Sequence, residues 1–69
     1  MNSPTSAIGL RLRLKRAKTN MTIEQLSLLA GVNKGTISGI ETGKRSPQNR
    51  TLMKLAKALK VEIEELLNE

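Results

Sequence analysis

The chain has no cysteine, no histidine and no Phe, Tyr or Trp among its 69 residues. Without cysteine it can form neither a disulfide nor a thiolate metal site. Without histidine it lacks the usual general base and the commonest imidazole metal ligand. A core must therefore come from Leu, Ile, Val, Ala and Met. No apolar run approaches the roughly 18 residues needed to span a bilayer. The opening residues, MNSPTSA, lack the charged-then-apolar order of a signal peptide. A soluble, cytoplasmic protein with no cofactor and no metal is expected. The carboxylates at Glu62, Glu64 and Glu65 are the only cluster suggestive of acid–base chemistry. With no His, Cys or glycine-rich phosphate loop to work with, they read as the first turn of a helix, and an enzyme is not expected.

Charge is abundant, and it is polarised. The net charge is +6, but residues 1–61 hold all twelve Lys and Arg against only Glu24 and Glu41, a local balance of +10. Residues 62–69 carry four Glu and no cation. A basic body with an acidic end suggests a polyanion-binding surface that covers part of the molecule. The plainer alternative is a small helical protein that carries its cations for solubility.

The run from Thr22 to Lys44, TIEQLSLLAGVNKGTISGIETGK, holds the most organised pattern. Leu26 and Ala30 share one face of a short helix. Gly31 breaks the period, and Ile37 and Ile40 set up a second face after Asn33. Thr22 with Gln25 fits a capping box, Gly31 suits a left-handed helix end, and Asn33 can cap the next helix. Ser27 is small enough to let two helices cross closely. Gly43 can end the second helix, and Pro47 keeps it from resuming. Two helices joined by a tight glycine turn make a helix-turn-helix, whose second helix is the one that enters the DNA major groove in proteins that use it.

Around this pair, residues 1–6 are expected to be a disordered tail, and residues 7–69 a single domain. A first helix is expected over 7–18. There Leu10, Leu12 and Leu14 alternate with Arg11, Arg13 and Lys15, a strand-like period, but no partner strand exists and Leu and Arg favour helix. Ile8 and Leu12 are expected inside, with Leu10 and Leu14 partly exposed. Met21 occupies the hydrophobic-staple position before the Thr22 cap. A fourth helix is expected over 48–59, with Leu52, Leu55, Ala56 and Leu59 on one stripe. A fifth is expected over 62–67, burying Ile63 and Leu66. The fold class is all-α, a bundle of five short helices.

The sequence Ile40-Glu41-x-Gly43-Lys44-x-x-Pro47 follows the second helix of the pair. It comes together with Ile8, Leu12, Arg16, Thr22, Leu26, Gly31, Val32, Ile37, Leu55, Ala56, Leu59, Val61 and Leu66. In this order the residues resemble the Cro/C1-type (XRE-like) helix-turn-helix domain of lambdoid phage repressors, restriction–modification controller proteins and antitoxins. The resemblance covers residues 8–67. It implies a lambda-repressor-like domain without enzymatic activity that binds operator DNA, usually as a dimer. It also implies an ion pair between Arg16 and Glu41, which couples the first helix to the end of the recognition helix. Departures are Ser27 in place of Ala, Ile23 where many members carry a phosphate-reaching Gln, and Gly35 and Gly39 where Ser, Gln or Arg is common.

In that geometry the start of the recognition helix reaches base edges. Lys34 can donate to guanine or to a phosphate, and Asn33 can pair with adenine or cap the helix. Gly35 admits close backbone approach, and Ser38 is the remaining base-reading candidate. Thr22, Thr36, Lys44, Arg45 and Arg50 are expected on phosphates, where contacts position the protein without reading sequence. Arg11, Arg13, Lys15 and Lys18 are expected to be a mostly solvated face, and Lys54, Lys57 and Lys60 to serve solubility. The expected partner is an operator with two half-sites, bound by a weak homodimer that DNA strengthens. The dimer contact is expected at Ser46 and Pro47 and at Lys60, Val61 and Glu62. A transcriptional repressor or controller is the expected function. The alternative is a protein-interaction module of the same fold, an antitoxin or bridging domain, docking through Leu10, Leu14, Leu28 and Leu29.

Overall fold

A computed structural model describes residues 4–68 and places five helices among them. The first, α1 (Pro4–Lys18), starts three residues before the sequence suggests. Proline suits a first helical turn, because its φ is preset and that turn has no partner for the missing N–H. The tail expected at 1–6 therefore overlaps α1, and residues 1–3 lie outside the described residues. Lys15, Arg16 and Lys18 occupy the last turn of α1, where cations complement the helix dipole.

The next two helices are α2 (Ile23–Ala30) and α3 (Lys34–Glu41). Thr22 and Gln25 complete the capping box in both directions. The Gln25 N–H donates to Thr22 Oγ1 at 3.0 Å, and the Thr22 N–H donates to Gln25 Oε1 at 2.9 Å. Gly31 ends α2 at φ 70°, in the left-handed region where a side chain would be strained. Its N–H and that of Val32 both donate to the Ser27 carbonyl. Asn33 Oδ1 then accepts from the Gly35 N–H at 2.7 Å and starts α3.

The chain continues into α4 (Asn49–Leu59) and α5 (Glu64–Leu67). Lys60 closes α4 in a left-handed conformation at φ 59°. The fifth helix is two residues shorter than the sequence suggests. Glu62 stays outside it, its N–H donating 3.0 Å to Glu65 Oε2. A carboxylate reaching back in this way fixes the start of a helix just after it.

Ten residues form the core, among them Leu12, Leu26, Ile37, Ile40, Leu52, Leu55 and Leu66. The other three are Val32, Ala56 and Leu59, and among the described residues no polar one is buried as a whole. In this core α1 packs on α3 and α5, and α2 packs on α3 and α4. The crossing of α1 and α3 is tight at Gly9. A Cβ there would overlap the Ile40 carbonyl oxygen and come within 2.9 Å of the Glu41 carbonyl oxygen. Glycine in mid-helix costs about 0.5–1 kcal/mol relative to alanine, and here it allows two backbones to touch.

Candidate nucleic-acid interface

The orientation of α3 is set from inside the domain. Ile37 and Ile40 are fully buried, and beside them Glu41 takes a bidentate ion pair from Arg16 of α1. Arg16 Nε donates at 2.7 Å and Nη2 at 3.0 Å to the two carboxylate oxygens. Arg16 Nη1 also donates 2.7 Å to the Met21 carbonyl, so one guanidinium joins α1, the first turn and α3. The hydrogen bond to Glu41 holds Arg16 more firmly in its charged form than usual. The side chain of Glu41 is only 6% exposed.

The opposite face of α3 is open. Asn33, Lys34, Gly35 and Ser38 are all exposed at or near its start. The Asn33 carbonyl oxygen is engaged in the cap, and Lys34 Nζ lies 3.5 Å from Glu24 of α2, both side chains largely in solvent. Such an exposed pair contributes little to stability. Thr42 Oγ1 folds back and donates to the Ser38 carbonyl at 3.0 Å. The Lys44 and Arg45 N–H groups both donate to the Gly39 carbonyl, at 2.8 and 3.1 Å, wrapping the following loop against the helix end.

Thr36 and Arg45 line one depression together with Ser46, Pro47, Gln48 and Thr51. Lys44 and Arg50 are exposed, Arg50 in the first turn of α4. Thr22 is exposed, its hydroxyl oxygen accepting in the capping box. The two segments expected at a dimer contact do not adjoin along the chain. Ser46 and Pro47 precede α4, and Lys60 to Glu62 follow it, separated by its 11 residues or about 16 Å of helix. Val61 is half-buried against the domain's own core.

The helix-turn-helix family matches residues 12–66 of this chain. The chain belongs to the Cro/C1-type helix-turn-helix family. The transcriptional repressor RghR of Bacillus subtilis is 42% identical over 62 residues, covering 88% of this chain and 46% of the repressor. The chain thus spans about half the length of the Bacillus relatives it matches. Among solved structures, the restriction–modification controller protein C.AhdI of Aeromonas hydrophila aligns with a TM-score of 0.87 at 34% identity. That alignment covers 90% of this chain and 94% of the controller. The P22 c2 repressor, solved with a synthetic operator, aligns with a TM-score of 0.81 at 31% identity, covering 88% of this chain and 92% of the solved repressor chain. The helix-turn-helix domain therefore has the lambda-repressor-like fold.

Arg13 and Lys18 are exposed as expected, but two contacts correct the reading of a solvated face for Arg11 and Lys15. Arg11 Nη1 donates to the Leu66 and Leu67 carbonyls at 3.3 and 3.0 Å, supplying the end of α5 with a cation. Lys15 Nζ pairs with Glu65 at 3.2 Å. Both cations are partly withdrawn from solvent because α5 docks on α1, a pairing of residues 50 or more apart in the chain. Gly9 was also missed. Its one sequence signal is a glycine inside a helix, beside the inward position Ile8. Leu10, Leu14, Leu28 and Leu29 are all exposed, as expected. Leu14 borders a depression with Arg11, Lys15, Ala17 and Lys18. Leu28 and Leu29, 83% and 60% exposed, border another with Thr19, Asn20, Met21 and Gln25. Among the described residues no group of His, Cys, Asp or Glu could hold a metal, and no helix is long and apolar enough to cross a membrane.

Proposed function

We propose that this helix-turn-helix domain binds operator DNA sequence-specifically and serves as the reading head of a transcriptional repressor or controller. The observation that carries this is the construction of α3. Its inward face is locked by Ile37, Ile40 and the Arg16–Glu41 pair, and its outward face is bordered by exposed cations. The operator in the P22 c2 complex and the repressor role of RghR support the reading. Asn33, Lys34, Gly35 and Ser38 meet base edges at the start of the helix. Thr22, Thr36, Lys44 and Arg50 meet phosphates on either side. The charge polarity agrees, since the acidic residues of 62–69 follow the basic body.

The working unit on DNA is a two-fold dimer, weak in free solution, with half-site centres about 34 Å apart. A face with so few long side chains specifies too little sequence alone, so two copies are needed. The subunits meet beside the recognition helix, at Ser46 and Pro47 or at Lys60 to Glu62. These strips carry little apolar surface, so DNA drives assembly. Selection of duplexes by the purified protein from a random pool tests the reading. Enrichment of a sequence repeated with two-fold symmetry is expected. An unenriched pool would instead favour the protein-interaction reading, to which the exposed Leu28 and Leu29 lend substance.

A further inference from the structure

Seen down the axis of α3, at 3.6 residues per turn, the direction opposite Ile37, Ile40 and Glu41 falls among Gly35, Ser38, Gly39 and Thr42. None of these residues has a side chain longer than threonine, and Thr42 spends its hydroxyl on the Ser38 carbonyl. A recognition helix built this way has no long reader on its outermost line. The structure supplies one from the loop. The aliphatic stem of Arg45 lies across Gly39, so that a Cβ on Gly39 would stand 2.8 Å from both Cγ and Cδ of Arg45 and 3.3 Å from its Cβ. The root of the same side chain is pinned there, because the Arg45 N–H donates to the Gly39 carbonyl at 3.1 Å. Among the described residues no carboxylate or carbonyl holds the Arg45 guanidinium, and the residue is exposed.

We propose that Arg45 is a base-reading residue that reaches a guanine across the cleared backbone of Gly39, with Gly39 as its positioning residue. The inference rests on the DNA-binding reading above and adds a specificity determinant to it. A planar guanidinium presents two parallel donors that match O6 and N7 of guanine in the major groove, which the phosphate role suggested by the loop position does not exploit. The two features that weaken α3 as a reader, glycine at 39 and the absence of long side chains, are what let an arginine from outside the helix lie on its outer face. Gly39 thus stops being a lost contact and becomes the seat of one.

The test compares the parent with Arg45→Ala, Arg45→Lys and Gly39→Ala, measuring the sequences each selects from a random duplex pool and the thermal midpoint of each free protein. The parent is expected to require a G·C pair at one position per half-site. Arg45→Ala should lower that preference by about 5- to 150-fold and leave the other positions intact. Arg45→Lys keeps the charge but not the fork, so overall affinity should survive better than the G·C preference. Gly39→Ala should flatten the same position by displacing the stem, although alanine favours helix and the midpoint should hold or rise. If the parent enriches a motif and Arg45→Ala or Arg45→Lys selects that motif with undiminished G·C preference, Arg45 is a phosphate anchor and the proposal is wrong. A Gly39→Ala protein that folds and keeps the parent's preference removes Gly39 from the mechanism. A parent that enriches nothing overturns the DNA-binding reading itself.

Discussion

The two faces of α3 are built by opposite means. On the inward face every position is constrained by something distant in the chain. Ile37 and Ile40 fill the core, Glu41 is held by Arg16, and the Ile40 and Glu41 carbonyls press on Gly9. On the outward face the constraints are local and light: the Asn33 cap, the Thr42 hydroxyl and the stem of Arg45 over Gly39. Stability therefore resides on one side of a helix only eight residues long, and the proposed recognition on the other. A family built on this plan can change what it reads by exchanging outer residues, since surface substitutions usually shift stability by no more than about 0.5 kcal/mol.

That division can be broken at three places, and a fourth substitution probes the contact of α5 with α1. The largest effect is expected for Glu41→Ala, which leaves the Arg16 guanidinium without its carboxylate in a mostly buried site. Removing one partner of such a pair costs about 3–5 kcal/mol, and the bond from Arg16 to the Met21 carbonyl keeps the loss at the lower end. Urea unfolding of the variant at parental stability would show that α3 is not held from within. Gly9→Ala should cost about 1–3 kcal/mol, as overpacking does, although alanine elsewhere in a helix would stabilise it. A rise in thermal midpoint would mean that α1 and α3 can separate without penalty.

On the outer side, Asn33→Ala should cost about 1 kcal/mol through the lost cap. If the selected DNA motif also changes at one position, Asn33 has a reading role besides capping, and the separation of tasks is less clean there. The smallest effect concerns acid. The Glu65 carboxylate is held below its usual pKa, first by the Glu62 backbone N–H and then by Lys15. Its stabilising contribution is thus complete above the ordinary glutamate range and is lost as pH falls through the lowered value. Glu65→Gln should show a shallower fall in thermal midpoint on acidification, with DNA selectivity at neutral pH unchanged.

The parts legible in the sequence are those decided within a few residues. Thr22 and Gln25 find each other three positions apart, Gly31 and Asn33 act on their own turns, and the Leu52–Leu59 stripe repeats at helical spacing. What escaped depends on which elements meet. Arg11 and Lys15 read as solvated cations until α5, more than 45 residues later, lays its carbonyls and Glu65 beside them. Gly9 gives no hint of the backbone it faces. Gly39 read as a missing side chain, because nothing local announces that Arg45 crosses it. The starts of α1 and α5 shifted for a related reason: Pro4 can open a helix in tail-like composition, and Glu65 reaches back to Glu62 outside the helix.

The docking of α5 on α1 also bears on how the domain is made. Leu66 belongs to the same buried cluster as Leu12, and Arg11 grips the carbonyls of residues 66 and 67. During synthesis, Leu12 emerges from the ribosome long before its cover exists. The final lock joins residues more than fifty apart in the chain, and its entropic cost falls as the intervening helices fold and shorten the flexible loop. The first helix can dock on α3 once Ile40 and Glu41 have emerged, whereas its α5-facing side waits for the last helix. A nascent chain halted before Leu66 leaves the vestibule should be cut in α1 more readily than the finished domain, and little faster between α2 and α4.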